Sequence, residues 1–364
     1  MTAVAIIGAG AGGAAAVAEL TLAGHDVRWW NRSPATIEPF RVAGGVRYEG
    51  VLGEGLATPS RFATELPEAL DGADLAMVCL PSLAHEAVAP ALVAAGVTCP
   101  VVLNPGHTGG ALHVAELFRT VGFSPPPLVE LSTLTYIARK PSPDAVRITG
   151  VASRLRAACL PGGEMGLELL RALYPAASPE DDVLATSLAN VNLVLHTPGA
   201  LLSAAWVEAT GGDFRFYVDA MTPGVVRVIE ALDDERRAVA ASFGHDLPSL
   251  GDEMAALGTA VPEHVAAGDT RSAIAEGEAN AAIKAPDSLR HRYYAEDFGF
   301  GLVPMVELAR IGGVATPLAC SLVEVASALL GRDLAVEGLT AGRLGIVGLD
   351  RDGLLARVRD RMLP

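Results

Sequence analysis

The sequence predicts an α/β half followed by an all-helical half, and three observations carry that prediction. The 364-residue chain opens on a β-branched run, Val4 to Ile7, that breaks into Gly8-Ala9-Gly10-Ala11-Gly12-Gly13 and then into an Ala-rich helical pattern, Ala14 to Leu22. Strand-like runs recur as far as Thr186, after which the pattern is serially helical. The length suffices for two hydrophobic cores, so domains of 1–186 and 187–364 are expected.

Composition narrows the function classes. With 51% hydrophobic and 19% charged residues the chain is globular rather than disordered. A net charge of −15 argues against a protein that tracks nucleic-acid phosphates, so an anionic substrate must be gripped by a local patch of arginines. No basic leader precedes Val4, and the apolar region after Gly301 is cut by Glu307, Arg310 and Glu324; neither a signal peptide nor a membrane span is expected. Cys79, Cys99, Cys159 and Cys320 are scattered without metal-like spacing, which predicts free thiols in the cytoplasm and no metal site.

Strand, glycine turn and helix at the start form a dinucleotide-binding arrangement. Gly8 allows the tight turn, Gly10 lets backbone approach a pyrophosphate, Gly13 permits close helix packing, and Ala11 begins the helix whose free N–H groups face the phosphates. The expected fold of this half is a Rossmann domain with a parallel sheet. A second strand, Val27 to Trp30, ends at Asn31-Arg32-Ser33, where an NAD-specific fold places a carboxylate for the ribose 2′-hydroxyl. No acid is present. Arg32 can pair with a 2′-phosphate, with Asn31 and Ser33 as donors, so NADP(H) is favoured and NAD(H) is the alternative. His25, just before this strand, reads as a surface residue.

Further strands are expected at Leu75 to Leu80 and Val101 to Asn104, and each ends in a polar loop. The C-terminal ends of parallel strands form the ligand crevice, which directs Pro81 and the loop from Asn104 to Gly110 toward the nicotinamide. His85 and His107, in these loops, are either ligand contacts or ordinary loop histidines. Glu130 to Arg139 has alternating character, and Thr133 within it offers a hydroxyl to a substrate carboxylate. Ala145 to Thr149 and Arg154 to Cys159 predict a closing hairpin, followed by a helix from Glu164 to Leu173 and a short strand near Val183.

The central stretch, Thr186 to Gly199, is read as helical up to His196, with Asn192 and His196 on one face at i, i+4. Pro198 lacks the N–H that the carbonyl of Val194 needs, so regular backbone should give way at His196. Taken alone, His196 reads equally as a core histidine satisfied by a carbonyl. Thr222-Pro223 and Thr316-Pro317 read as cap and first-turn pairs, Pro304 opens another helix, and Asp350 to Met362 forms a final amphipathic one. This domain order places the ligand cleft at the junction, beside Asn192 and His196.

A second run, Ile283 to Val303, crowds charge, aromatics and helix breakers into a chain otherwise rich in Ala and Leu. The glycine-turn start, Asn192-x-x-x-His196-x-Pro198, Lys284-x-Pro286-x-Ser288-Leu289, Arg292-Tyr293 and Glu296-Asp297-x-x-x-Gly301-Leu302-Val303, in that order, resemble the NAD/NADP octopine/nopaline (opine) dehydrogenase family. Phe298-Gly299-Phe300 stands where that family commonly has Val-Pro, and Ala285 where it commonly has Gly. The resemblance implies a helical domain like the C-terminal domain of 6-phosphogluconate dehydrogenase. It also implies NAD(P)H-dependent reductive condensation of an amino acid with a 2-oxo acid, with His196, Asp297 and Asn192 as the catalytic residues. Arg292 is expected to hold a carboxylate, with Thr133 and His107 as further substrate contacts.

Chemically, a histidinium can protonate the oxygen lost as water when the carbinolamine becomes an imine, and Asp297 on its other nitrogen favours that charged form. Ketopantoate reductase, β-hydroxyacid dehydrogenases and glycerol-3-phosphate dehydrogenase share the architecture but use a lysine near the interdomain helix. The chain has only Lys140 and Lys284, neither near residue 192 in sequence, although Lys284 could reach the cleft from another segment. A non-catalytic NADP sensor would have no use for a His and Asp pair. Apolar helices in the second half make a homodimer plausible, with no nucleic-acid or membrane partner.

Overall fold

The computed structural model describes residues 1–278 and 280–359. It divides into two compact units, Met1–Gly106 with Gly110–Val183, and His107–Gly109 with Leu184 onward.

In the first unit, β1 (Ala3–Ile7), β2 (Asp26–Trp30), β3 (Val46–Gly50), β4 (Gly55–Ala57), β5 (Arg61–Phe62) and β6 (Leu75–Val78) come first in the chain. They are followed by β7 (Val101–Leu103), β8 (Leu128–Leu131), β9 (Tyr136–Arg139), β10 (Ala145–Val151), β11 (Leu155–Cys159) and β12 (Ala177–Pro179). Eight of these form a sheet ordered β12-β11-β8-β7-β6-β1-β2-β5. Its neighbours are parallel except β11 against β8. The order reverses between β1 and β6, so the loops after these strands open at the switch point where such folds bind nucleotides. Strands β1, β6 and β7 are buried almost throughout, as continuous apolar runs in a covered parallel sheet must be.

Two sequence expectations for this unit are corrected. Ala145 to Cys159 is not a hairpin: β10 pairs antiparallel with β9 and parallel with β3 in a separate four-stranded sheet, while β11 joins the main sheet. Alternation sets which face a strand buries but says nothing about its partner. The strand near Val183 is a helix, Val183–Leu188, since a short apolar run carries no period that distinguishes the two. The short strand expected there lies a few residues earlier, at β12.

His113 is buried on the Gly110–Thr120 helix, and burial pushes its imidazole down to about 4 from an ordinary value of 6.5. The unfolded chain therefore binds this proton at a higher pH than the folded one. Stability from this group is complete above pH 6.5 and is lost as pH falls toward 4. A His113→Leu variant should lose about 3 kcal/mol less than the parent between those limits, read from urea midpoints against pH. Parallel curves for the two proteins would refute this.

The second unit is helical. Its central helix, Asn192–Leu202, is buried from Leu193 to Ala200 and contains Pro198. The expected break at His196 does not occur: the helix begins at Asn192 and continues through the proline. Packing on all sides offsets the missing hydrogen bond, as tertiary burial commonly overrides local propensity. Thr222 caps the Pro223–Ser242 helix as expected, accepting from the Val225 N–H. Thr316 does not cap the Pro317–Leu330 helix. Glu235 does, its two carboxylate oxygens accepting the Leu318 and Ala319 N–H groups at 2.8 and 2.9 Å. A carboxylate satisfies two orphan donors at once and opposes the helix dipole, which a threonine hydroxyl cannot match. The final helix is Arg351–Arg359, and the expected continuation to Met362 lies outside the described residues. No helix among the described residues is long and apolar enough to cross a membrane.

Candidate active site

The glycine turn tests whether the first unit fits a dinucleotide. Gly8 has φ +119°, and a Cβ there would lie 2.6 Å from the Cys79 carbonyl oxygen; one on Gly13 would lie 2.1 Å from the Gly8 carbonyl oxygen. Packing within the protein thus demands both glycines. A Cβ on Gly10 would meet nothing within 4 Å, so the open space over that residue is left for something outside the chain. Gly10 precedes the Ala11–Leu22 helix, which has no side-chain cap and no acid in its first turn. Such an N-terminus accepts a phosphate.

Buried Trp29 holds this turn by donating its Nε1–H to the Gly8 carbonyl at 2.8 Å. Asn31 holds it too: its Oδ1 accepts the Ala9 N–H at 3.0 Å, and its Nδ2 donates to the Ser33 carbonyl. These bonds brace the turn with the Oδ1 and one Nδ2 hydrogen, and the second Nδ2 hydrogen is compatible with the ligand-donor role expected of Asn31. Arg32 and Ser33 are exposed, at the start of the Pro34–Ala43 helix. Pro81 is exposed and precedes the Ser82–Ala84 turn, and half-buried Thr133 adjoins Leu134, whose side chain covers Gly12. His85 is fully buried at the start of the His85–Ala94 helix, so it is not the loop histidine the sequence allowed.

In the second unit three segments converge on His196. The central helix presents it, Phe216–Asp219 passes one side, and Arg292–Asp297 passes the other. Small residues make this convergence sterically feasible. A Cβ on Gly199 would sit 2.8 Å from the Phe216 ring, and one on Gly301 would sit 3.0 Å from Leu193 Cβ. Tyr294 ties Arg292–Asp297 to the central helix by donating to the Ala200 carbonyl at 2.9 Å. Backbone bonds from Phe216 to Ile283 and from Ala285 to Phe214 fix the approach of the Phe216 segment.

The product is a histidine held on every side. His196 Nδ1 lies 2.8 Å from Asp297 Oδ2, and its Nε2 lies 2.7 Å from the Tyr217 hydroxyl. Tyr293 stacks on the ring at 3.7 Å and 19°. His196 is 2% exposed and Asp297 1%. Asp297 sits where an α-helical turn passes into a π-type turn, Phe298–Leu302, the wider coil that accommodates Phe298-Gly299-Phe300.

Around this core, the Arg292 side chain is 48% exposed and lies over the Tyr293 ring, with Glu296 at 3.4 Å. Burial works against its charge, but Asp297 and Glu296 outweigh it and hold the guanidinium above the ordinary arginine range. Buried Glu296 also meets His107 Nε2 at 3.2 Å. His107 has φ 58°, uncommon outside glycine, and this contact helps to anchor it. Asn192 opens the central helix, half-buried, one turn before His196. Lys284 pairs with Asp213 and is 69% exposed, whereas His196 is buried. Tyr217 escaped sequence reasoning altogether: it lies in no motif, and its only local signal is an aromatic pair with Phe216.

A dinucleotide-fitted α/β unit and a helical unit built on a His–Asp pair define a nicotinamide-dependent dehydrogenase. The NAD/NADP octopine/nopaline dehydrogenase alpha-helical domain family matches residues 179–330, and ketopantoate reductase PanE/ApbA matches residues 4–104. An opine dehydrogenase of Arthrobacter sp. (strain 1C) is 32% identical over 358 residues, covering 97% of this chain and 98% of that protein. The chain belongs to the opine dehydrogenase family. It is accordingly an NAD(P)H-dependent oxidoreductase of the reductive-condensation type, acting at a C–N bond. An octopine dehydrogenase structure with NADH and L-arginine is 20% identical at a TM-score of 0.75, covering 98% of each chain. An NADP+-bound yersinopine dehydrogenase is 17% identical at 0.74, covering 99% of this chain and 98% of that one.

Proposed function

We propose that this enzyme joins the amine of an amino acid to a 2-oxo acid, prefers NADP(H) to NAD(H), and uses His196 as its acid and base. The observation that carries the assignment is the buried His196–Asp297 contact at 2.8 Å. Asp297 accepts the Nδ1–H, which fixes the tautomer and stabilises the imidazolium. The protonated ring then serves the oxygen that departs as water when carbinolamine becomes imine. When bound, the cofactor supplies the hydride that the imine carbon receives.

Gly8, Gly10, Ala11 and Gly13 would hold the pyrophosphate, with Pro81 beside the nicotinamide. Asn31, Arg32 and Ser33 would hold the 2′-phosphate. Arg292 offers its half-exposed guanidinium fork to a substrate carboxylate, consistent with the aromatic face beneath it and the acid beside it. Asn192, Thr133 and His107 are further substrate contacts in this reading. The amino-acid and oxo-acid classes are supported by the octopine dehydrogenase structures, which hold L-arginine in one case and pyruvate in another. Those relatives use NADH and the yersinopine relative NADP+, so the preference here rests on Arg32 and the missing carboxylate after β2. Four free cysteines fit a cytoplasmic protein, and a homodimer is the assembly we infer.

A panel of amino acids and 2-oxo acids, followed by NADPH and NADH oxidation, tests the substrates. Arg32→Ala should weaken NADPH binding by about 2 kcal/mol, roughly thirtyfold, and NADH by less than about threefold. Equal losses for the two cofactors would show that Arg32 does not read the 2′-phosphate.

A further inference from the structure

The geometry of His196 leaves one route for its proton. Nδ1 faces Asp297, Tyr293 covers a ring face, Phe216 lies against the ring edge at 6.0 Å, and Nε2 is bonded to Tyr217. With 2% of the residue exposed, the nitrogen that must act is already occupied by a hydroxyl. We propose that Tyr217 is a proton relay, passing the proton of His196 to the departing oxygen of the substrate. This rests on the reading of His196 as the acid and base.

A hydroxyl can accept and donate at once, which suits this position in both states of the ring. When the imidazole is neutral, the Nδ1–H is given to Asp297 and the Nε2 lone pair accepts from Tyr217. When it is protonated, Nε2–H donates to the Tyr217 oxygen, and the phenolic hydrogen is free to turn away from the ring. In the reaction, Nε2–H passes to Tyr217 as the O–H of Tyr217 passes to the carbinolamine hydroxyl. The C–O bond breaks, water leaves, and the nitrogen lone pair forms the C=N bond. Tyr217 ends as it began, and His196 has lost one proton.

Three further observations agree. Burial, with Tyr293 beside it, holds the Tyr217 phenol well above its ordinary range, so it keeps the hydrogen it must donate and no tyrosinate forms. The Tyr293 hydroxyl at 3.3 Å gives the rotating O–H a second partner. Gly199 lets Phe216 pack against the central helix, which places the adjoining Tyr217 at Nε2.

The test compares Tyr217→Phe with His196→Gln in the full-length enzyme. Tyr217→Phe should lower kcat by about a hundredfold while the substrate KM values and cofactor affinity change by less than about threefold. The solvent-isotope proton inventory of carbinolamine dehydration, followed as imine formation within a single turnover, should be curved in the parent, two protons being in flight, and linear in the variant. Fluorotyrosine at position 217, which restores the hydroxyl on an isosteric ring, should recover turnover to within about tenfold of the parent. Turnover of Tyr217→Phe within about threefold of the parent, a loss confined to KM, or a linear parent inventory would each overturn the relay. Should Tyr217→Phe not fold, the fluorotyrosine protein and the parent inventory decide alone. An inactive His196→Gln beside a normal Tyr217→Phe removes only the relay, whereas an active His196→Gln removes the acid–base reading itself.

Discussion

His196→Gln is expected to lower reductive turnover by about 10³-fold, with the cofactor still bound. The substitution is chosen for its shape. A glutamine amide can reach toward Asp297 and Tyr217 and fill most of the space against Tyr293, yet it cannot carry a proton. The hydrogen-bonded site at 2.8 and 2.7 Å is thereby perturbed in chemistry more than in packing. Binding should survive because the glycine turn that takes the phosphates belongs to the first unit and His196 to the second. NADPH oxidation with a condensing substrate pair measures the first effect, and a fluorescence titration of cofactor the second. Turnover within about tenfold of the parent would end the acid–base assignment. Asp297→Asn should fall by a comparable factor, since an amide can hold the ring in the wrong tautomer and cannot stabilise its charge.

Arg236→Ala is expected to destabilise the helical unit by about 3–5 kcal/mol without touching the site chemistry. Arg236 is fully buried on the Pro223–Ser242 helix. Its guanidinium bonds Asp233 at 2.7 Å, the Leu188 carbonyl at 2.8 Å and the Pro248 carbonyl at 2.9 Å. Asp233 in turn accepts the Leu250 N–H at 2.8 Å, at the start of the Leu250–Ala256 helix. Truncation leaves a buried carboxylate without its cation, two carbonyls without donors, and a cavity. Replacing both partners, Asp233→Asn with Arg236→Met, should recover part of the loss, because the pair's desolvation is removed with its attraction. The midpoint of the helical unit's thermal transition measures both variants. A single variant that unfolds within about 1 kcal/mol of the parent would show that this network contributes little.

Legibility in the sequence followed the range of the interactions. Strand, glycine turn and helix at the start were readable because Gly8 and Gly13 answer to atoms close along the chain or at the adjoining strand end. The Asn192 and His196 pairing was readable as a helix face, but the break at Pro198 was not, because burial from Leu193 to Ala200 outweighs one lost hydrogen bond. The hairpin from Ala145 to Cys159 failed for a related reason: β10 and β11 have similar patterns and belong to different sheets. Thr316 lost its capping role to Glu235, which is 83 residues away from Leu318.

By itself the sequence determined the two-part architecture and the glycine cradle, which rest on local periodicity and steric demand, while the family and the His196 and Asp297 partnership came from the resemblance that its ordered motifs carry. Only the tertiary structure decided that Asn31 braces the glycine turn, that Lys284 pairs with Asp213, and that Tyr217 sits on Nε2. Each of these depends on where a side chain finds its hydrogen-bond partner once distant backbone has packed. That choice is made by the fold as a whole, and no local pattern in the chain encodes it.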